Sequence, residues 1–212
     1  MFGKRIILLA LIIILILVSG LVCAEEEKET VYVKAEHLKY KDKKTILEGN
    51  INIRKKDIEL SSSTGEINKE KTILKLYEDV VAISDNGQIN SEELIAMLEE
   101  DKYIFKKEVV FDYVEKEEED NDSFTMQTPY LIMLDGGNSF EAEQGVEILY
   151  NEKNLKSKKA KYSEETKLLV MEGDVMIEED GDWIKSDTAE FNIGSEKEEF
   201  TADGSIEIEL QI

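Results

Sequence analysis

The sequence predicts an all-β protein, a twisted β-jelly roll or solenoid-like stack of six strand–turn–strand repeats, preceded by an N-terminal signal or anchor helix. Three observations predict it. A turn-like hexad recurs at a nearly fixed spacing, the residues around it alternate apolar and polar, and 212 residues include a single proline. Fixed-period self-similarity marks a repeat array. Alternation with β-branched side chains marks half-buried strands, and scarce proline leaves long hydrogen-bonded ladders unbroken.

The N-terminal element is the most distinct. Lys4 and Arg5 precede the apolar run Ile6 to Val22, 17 residues broken only by Ser19 and Gly20, and Glu25-Glu26-Glu27 follow. This is the grammar of a secretory signal, with Val22-Cys23-Ala24 offering a cleavage site before Glu25. The run also falls just short of the ~20 residues that span a bilayer, so cleaved signal and retained anchor both stay open. Cys23 adds a lipidated-cysteine alternative, for which Gly20-Leu21-Val22 is a poor match. In each case the working domain lies outside the cytoplasm. Residues 25–30 read as an acidic linker and 31–212 as the repeat domain.

The repeats line up as Glu48-Gly49-Asn50-Ile51-Asn52-Ile53, Tyr77-Glu78-Asp79-Val80-Val81-Ala82 and Lys106-Lys107-Glu108-Val109-Val110-Phe111. They continue as Glu143-Gln144-Gly145-Val146-Glu147-Ile148, Glu172-Gly173-Asp174-Val175-Met176-Ile177 and Ala202-Asp203-Gly204-Ser205-Ile206-Glu207. Their third residues fall at 50, 79, 108, 145, 174 and 204, in steps of 29, 29, 37, 29 and 30. The long step holds an eight-residue polar run, 116–123, which reads as a solvated loop inserted in one repeat. Each hexad is read as a turn leading into a strand. Upstream of it stands a half-repeat such as Ala35-Glu36-His37-Leu38-Lys39-Tyr40, Ser157-Lys158-Lys159-Ala160-Lys161-Tyr162 or Ser186-Asp187-Thr188-Ala189-Glu190-Phe191, followed by a charged turn. The stretch 91–100 is helical by composition, but its place in the repeat predicts a strand.

Alternation assigns the faces. Leu47, Gly49, Ile51 and Ile53 share one side, and Glu48, Asn50 and Asn52 the other. The predicted inward positions after the hexads are Ile51 and Ile53, Val80 and Ala82, Val109 and Phe111, Val146 and Ile148, and Val175 and Ile177. In the second copy Val81 and Ile83 compete for the inner face, because a one-residue slip inverts every side chain.

Composition removes several functions. The chain has 26 Lys+Arg against 48 Asp+Glu, a net charge of −22, and only one His and one Cys. Cleavage before Glu25 would remove two cations and no acid, taking the charge to −24. A nucleic-acid binder relies on a basic face. A disulfide scaffold or Cys/His metal site needs more than Cys23 and His37, and a nucleophilic triad wants a positioned histidine. Acid-pair chemistry on a β-solenoid needs two carboxyls held ~5–10 Å apart in a cleft, and no pair stands out. No enzyme activity, cofactor or metal is expected. A halophilic host would account for the acidity.

A secretory start followed by tandem Ala-x-x-Leu-x-Tyr, charged turn, Leu-x-Gly-Asn/Asp-Val/Ile-x-Ile units resembles the OstA-like domain of periplasmic lipopolysaccharide-transport proteins of the LptA and LptC kind. The best copies are Ala35 to Tyr40 with Leu47 to Ile53, and Ala160-Lys161-Tyr162 with Met171 to Ile177, and the likeness covers about residues 31–210. The resemblance implies a V-shaped apolar groove that takes the acyl chains of lipopolysaccharide or a related glycolipid. It also implies end-to-end strand addition with other OstA-like domains of the export machinery, self-association included. The ten inward positions are then candidate groove residues as well as core. The glycine is replaced by Glu78 and Lys107 in the second and third copies, where this chain departs from the pattern. The resemblance suits a periplasmic lipid-transfer bridge if the signal is cleaved, or an inner-membrane-anchored, LptC-like component of the export transporter if residues 6–22 are retained. A structural surface repeat protein without a lipid ligand is the remaining alternative.

Overall fold

The computed structural model describes residues 30–114, 123–193 and 200–211. The predicted signal or anchor, residues 25–29 of the linker and residues 116–122 of the polar insertion lie outside the described residues. Among those described, no helix is long and apolar enough to cross a membrane.

The elements are β1 (Tyr32–Lys34), β2 (His37–Lys41), β3 (Lys44–Lys55), β4 (Ile58–Asn68), β5 (Ile73–Ser84), β6 (Gly87–Met97) and β7 (Lys102–Val114). After them come β8 (Ser123–Leu134), β9 (Ser139–Tyr150), β10 (Lys153–Ser163), β11 (Leu168–Glu179), β12 (Asp182–Asn192), β13 (Phe200–Asp203) and β14 (Glu207–Glu209). From β3 to β12 every strand pairs antiparallel with its sequence neighbours in one sheet, and β1 and β2 both pair β3 while β13 and β14 both pair β12. Each terminal pair is therefore one strand position split in two. Twelve full-length positions remain, and they make the six hairpin repeats that the sequence predicts. Residues 91–97 belong to strand β6, so the helical composition of that stretch yields to its place in the repeat.

The hexads differ from expectation. Five of them are not turns between strands but bulges in the middle of β3, β5, β7, β9 and β11, and the sixth, 202–207, falls at the break between β13 and β14. Glu48 pairs with Thr64 and the next partner pair is Ile51 with Ser62, so Gly49 and Asn50 face the single residue Ser63. Both adopt left-handed φ, 77° and 43°. The same two-residue device recurs at Glu78-Asp79, Lys107-Glu108, Gln144-Gly145 and Gly173-Asp174, all with positive φ. Glu78 and Lys107 therefore adopt, with side chains, the backbone that glycine provides elsewhere.

The bulges fold the sheet. Along β3 the buried residues run Leu47, Ile51, Ile53, a step of four across the bulge, while along β4 they run Leu60, Ser62, Gly65, a step of three. Every odd strand from β3 to β11 repeats the first pattern and every even one from β4 to β12 the second. A step of three reverses the side-chain parity of a strand. The sheet bends along this line into two facing layers, and both inner faces stay apolar.

A hydroxyl row lies on the line. Ser62, Ser91, Thr128, Ser157 and Ser186 are buried, and each donates its hydroxyl to the backbone carbonyl two residues on, at 2.8–3.2 Å. This side chain-to-backbone bond satisfies a carbonyl that the bulge takes out of the ladder. Ser157 and Ser186 open two of the half-repeats seen in the sequence.

Glycine eases the left-handed backbone at some of the bulges, and at Gly65 it provides space. Gly65 is buried in extended backbone, where an added Cβ would sit 2.8 Å from Leu76 Cδ2 and 2.9 Å from the Lys75 carbonyl oxygen. Gly173→Ala should cost ~1–2 kcal/mol, the penalty for a Cβ in left-handed backbone. Gly65→Ala should cost ~1–3 kcal/mol through overpacking. Urea unfolding should show both as lowered midpoints with unchanged slope.

Candidate functional site

The space between the layers is the candidate site. One wall is built from the halves of the odd strands after the bulge, and it carries all ten sequence-predicted positions. Ile51, Ile53, Val80, Ala82, Val109, Phe111, Val146, Ile148, Val175 and Ile177 are all buried on it. Val80 and Ala82 take the inner face of the second copy, whereas Ile83 is 48% exposed.

The opposite wall did not come out of the sequence as a set. It comprises Leu47, Leu76, Phe105, Phe140, Ala142 and Met171 on odd strands, with Leu94, Leu131, Ala160 and Tyr162 on even ones. Their signal was present in the Ala-x-Tyr and Ala-x-Phe endings of the half-repeats. The parity reversal at the fold line hides the even-strand members from a period-two count, whereas odd-strand ones such as Leu47 keep the phase of Ile51 and Ile53.

Both walls together form one continuous apolar cluster from Leu47 to Ile193. Its middle is aromatic. Phe111, Tyr113 and Phe124 of one layer meet Phe140 and Tyr162 of the other, with the Phe111–Phe140 ring centroids 5.9 Å apart and Phe140–Tyr162 5.5 Å apart. Aliphatic residues flank this block on either side along the stack. Between the walls an apolar cavity lined by Leu60, Ala82, Ile89, Phe105 and Met133 has a volume of 20 Å³, room for about one water-sized body.

Opposite the fold line, the hairpin turns of the two layers meet at a mouth. Side chains bridge it in several places. The Lys55 ammonium, on one layer, bonds the Leu98 carbonyl and the Asp101 carboxylate on the other. Lys56 reaches the same carboxylate at 3.1 Å. Asn86 donates to the Gly137 carbonyl at 3.3 Å. Tyr113 shares a 2.9 Å hydrogen bond with the Tyr162 hydroxyl, and donates to Glu164 at 3.1 Å.

These contacts set protonation. Hydrogen bonding from Lys55 holds the Asp101 carboxyl below its ordinary value, and Lys56 adds to it. At Glu164 burial pushes upward, but hydrogen bonds from Lys167, Tyr113 and Tyr162 outweigh it and the net shift is downward. Burial raises the Tyr113 hydroxyl far above the usual phenol range, so it stays a donor. The outer faces carry cross-strand ion pairs such as Lys159–Glu143 at 2.8 Å and Lys44–Glu66 at 3.0 Å. No cluster of three metal-ligating side chains occurs among the described residues. Chemically, the arrangement can bury apolar chains between two walls and keep charge outside.

Comparison with known proteins places this chain. The family described as LptA/(LptD N-terminal domain) LPS transport protein matches residues 32–197. Among solved structures, it is similar to LptH, the LptA-homologous periplasmic component of the conserved lipopolysaccharide transport device from Pseudomonas aeruginosa. That likeness covers 87% of this chain and 96% of the other, at 8% identity and a TM-score of 0.25. No curated protein matches.

Carboxylates with depressed folded-state values stabilise the fold above the ordinary carboxylate range, and that contribution disappears as pH falls through the lowered values. With Asp101 and Glu164 shifted this way, the thermal midpoint should drop below about pH 4. The Asp101→Asn/Glu164→Gln double variant should melt lower at neutral pH and lose less on acidification. Calorimetry across pH 3–7 measures both.

Proposed function

This chain belongs to the LptA/LptD N-terminal-domain family of LPS transport proteins, and we propose that it is a periplasmic carrier that holds the acyl chains of lipopolysaccharide or a related glycolipid between its two apolar walls. The observation that carries this reading is the continuity of those walls through all six repeats, with the buried serine and threonine hydroxyls confined to the fold line and already bonded to backbone. An acyl chain sliding along such a trough desolvates no polar group. The sugar and phosphates would remain outside in water.

The walls are packed against each other, so loading exchanges wall-to-wall contacts for wall-to-chain contacts. Apolar contact replaces apolar contact, which keeps the exchange close to balanced, and the layers part at the mouth rather than along the hydrogen-bonded fold line. The aromatic block in the middle is where the two walls interlock most closely. An acyl chain spanning the whole trough would have to pass between Phe111 and Phe140.

The ends support an end-to-end bridge. β1 and β2 expose Tyr32, Val33, Leu38 and Tyr40, while the far end exposes Phe200, Ile206, Ile208 and Leu210. Among the described residues, β1, β2, β13 and β14 each pair on one side only. Such edges template strand addition. Their charges complement each other: β1 and β2 carry Lys34, Lys39 and Lys41 and no acid, whereas β13 and β14 carry Asp203, Glu207 and Glu209 and no cation. With twelve strand positions, an even number, a second copy added head to tail continues the antiparallel alternation and joins like layer to like.

Photo-crosslinking tests the trough. A photoreactive residue at Phe111 or Ile148 should give adducts with lipopolysaccharide, and one at the outward Lys39 or Glu147 should not; equal labelling at both sets would sink the groove. Assembly is separate. Sedimentation should show concentration-dependent association that weakens with salt, as expected for exposed charge pairs, and Ile208→Pro should abolish it. A monomer at every concentration would remove the bridge while leaving lipid carriage standing.

A further inference from the structure

We propose that the Lys55–Asp101 contact is a releasable latch across the mouth of the trough and sets the rate at which acyl chains enter; this rests on the carrier reading above. Lys55 stands where the alternation of β3 puts an apolar residue. It follows Ile51 and Ile53 on the inner face, and it is 4% exposed. A lysine in that register must bring its charge to a partner. Its stem lies along the lip of one wall while its ammonium crosses to the Leu98 carbonyl and Asp101 on the lip of the other. Lys56 closes on the same carboxylate from the outside.

Two compartments adjoin at the latch. On its outer side is an open polar pocket of 290 Å³, lined by Lys55, Lys56, Asn86, Asp101 and Asp135. On its inner side is the small apolar cavity over Leu60 and Met133. Ile58, Ser84, Tyr103 and Gly136 line both. An amphiphile at this point would find polar groups for its head in the pocket and apolar side chains for its tail directly beneath. Lys55 and Asp101 line the outer pocket, and their contact ties together the lips above that shared lining.

Both lips carry main-chain bonds between turns, Val114 N to Asn86 O at 3.2 Å on the Lys55 side and a longer series on the other. On the Asp101 side, successive turns are stitched by main-chain bonds: Leu98 N to Thr72 O at 2.8 Å, Gly136 N to Asp101 O at 3.4 Å, and Glu164 N to Asn138 O at 2.8 Å. The links across the mouth at Lys55, Lys56 and Asn86 are made by side chains. Releasing them unzips no ladder, because a lysine stem can swing its charge into water. The two lips can then part while the main-chain bonds within each stay intact.

Stopped-flow fluorescence with cis-parinaric acid, a polyene fatty acid that brightens in apolar surroundings, tests this on the full-length chain. Lys55→Met keeps the stem volume and removes the crossing charge, and Asp101→Asn keeps the shape and weakens the pair. Both should speed probe uptake on the order of fivefold, the effect of losing one ion pair, with unchanged binding at saturation. Lys39→Met on the outer face should change nothing. Hydrogen exchange without probe should rise at Ile58 and Tyr103 in Lys55→Met, which shows the mouth opening independently of lipid. Uptake by the wild type with equal or slower rates in both variants overturns the latch alone. If no protein, wild type included, takes up the probe, the carrier reading falls and the gate falls with it.

Discussion

The structure depends on one backbone constraint, the folding of a single antiparallel sheet along a line that crosses every long strand. A flat sheet of this alternation would bury one face against nothing. Folding brings that face onto itself, but only if inner positions stay inner on both sides of the bend. The chain meets this with a step of four residues on odd strands and three on even ones. The difference is the bulge. Two consecutive left-handed residues make the longer step, and a buried hydroxyl bonded two residues ahead makes the shorter. Because every repeat solves the same problem identically, the period of the sequence is the period of the bend.

The interior follows from the bend and so does the mouth. Strands that double back at the fold line must end in turns on the opposite side, and the turns of both layers come together there. Inner positions nearest the turns sit between core and water, which is where the polar members of the inner register occur: Lys55, Ser84, Tyr113, Tyr150 and Glu179. The walls are held apolar by burial and the lips are held together by side-chain bonds. The fold thus has a strong hinge made of backbone and a weak closure made of side chains. That division would let the mouth open while the fold line stays intact.

Much of this was legible. The period, the six repeats, the strand class and the inward half of every odd strand can be read from spacing and alternation, as Ile51 through Ile177 show. The bend itself was not, because Gly49-Asn50 and Gly173-Asp174 look like hairpin turns, and a mid-strand bulge uses the same residues for the same left-handed backbone. Glu78-Asp79 and Lys107-Glu108 give no conformational signal at all. The even-strand part of the second wall was missed because a step of three inverts parity within those strands, so Leu94 and Leu131 fall out of phase with Ser91 and Thr128. The latch was invisible for a different reason. Lys55 reads as a surface lysine beside Lys56, and its partner is 46 residues away, across a contact that only the folded sheet creates.

The charge can now be placed, though the trough does not require it. Acids dominate the outward positions, where lysines on neighbouring strands pair with some of them, as Lys156, Lys159 and Lys161 of β10 do with Glu147, Glu143 and Glu141 of β9. The surplus leaves a body of net charge −22, and two such bodies repel when they approach side by side. The exceptions are the terminal strands, basic at one end and acidic at the other. Repulsion over the flanks with attraction at unlike ends disfavours every contact between copies except head to tail. For a protein whose edges offer unpaired backbone and exposed apolar side chains, that arrangement of charge separates ordered growth along one axis from lateral aggregation. Acidity that is neutral for lipid carriage is, on this argument, a condition for exposing those edges at all.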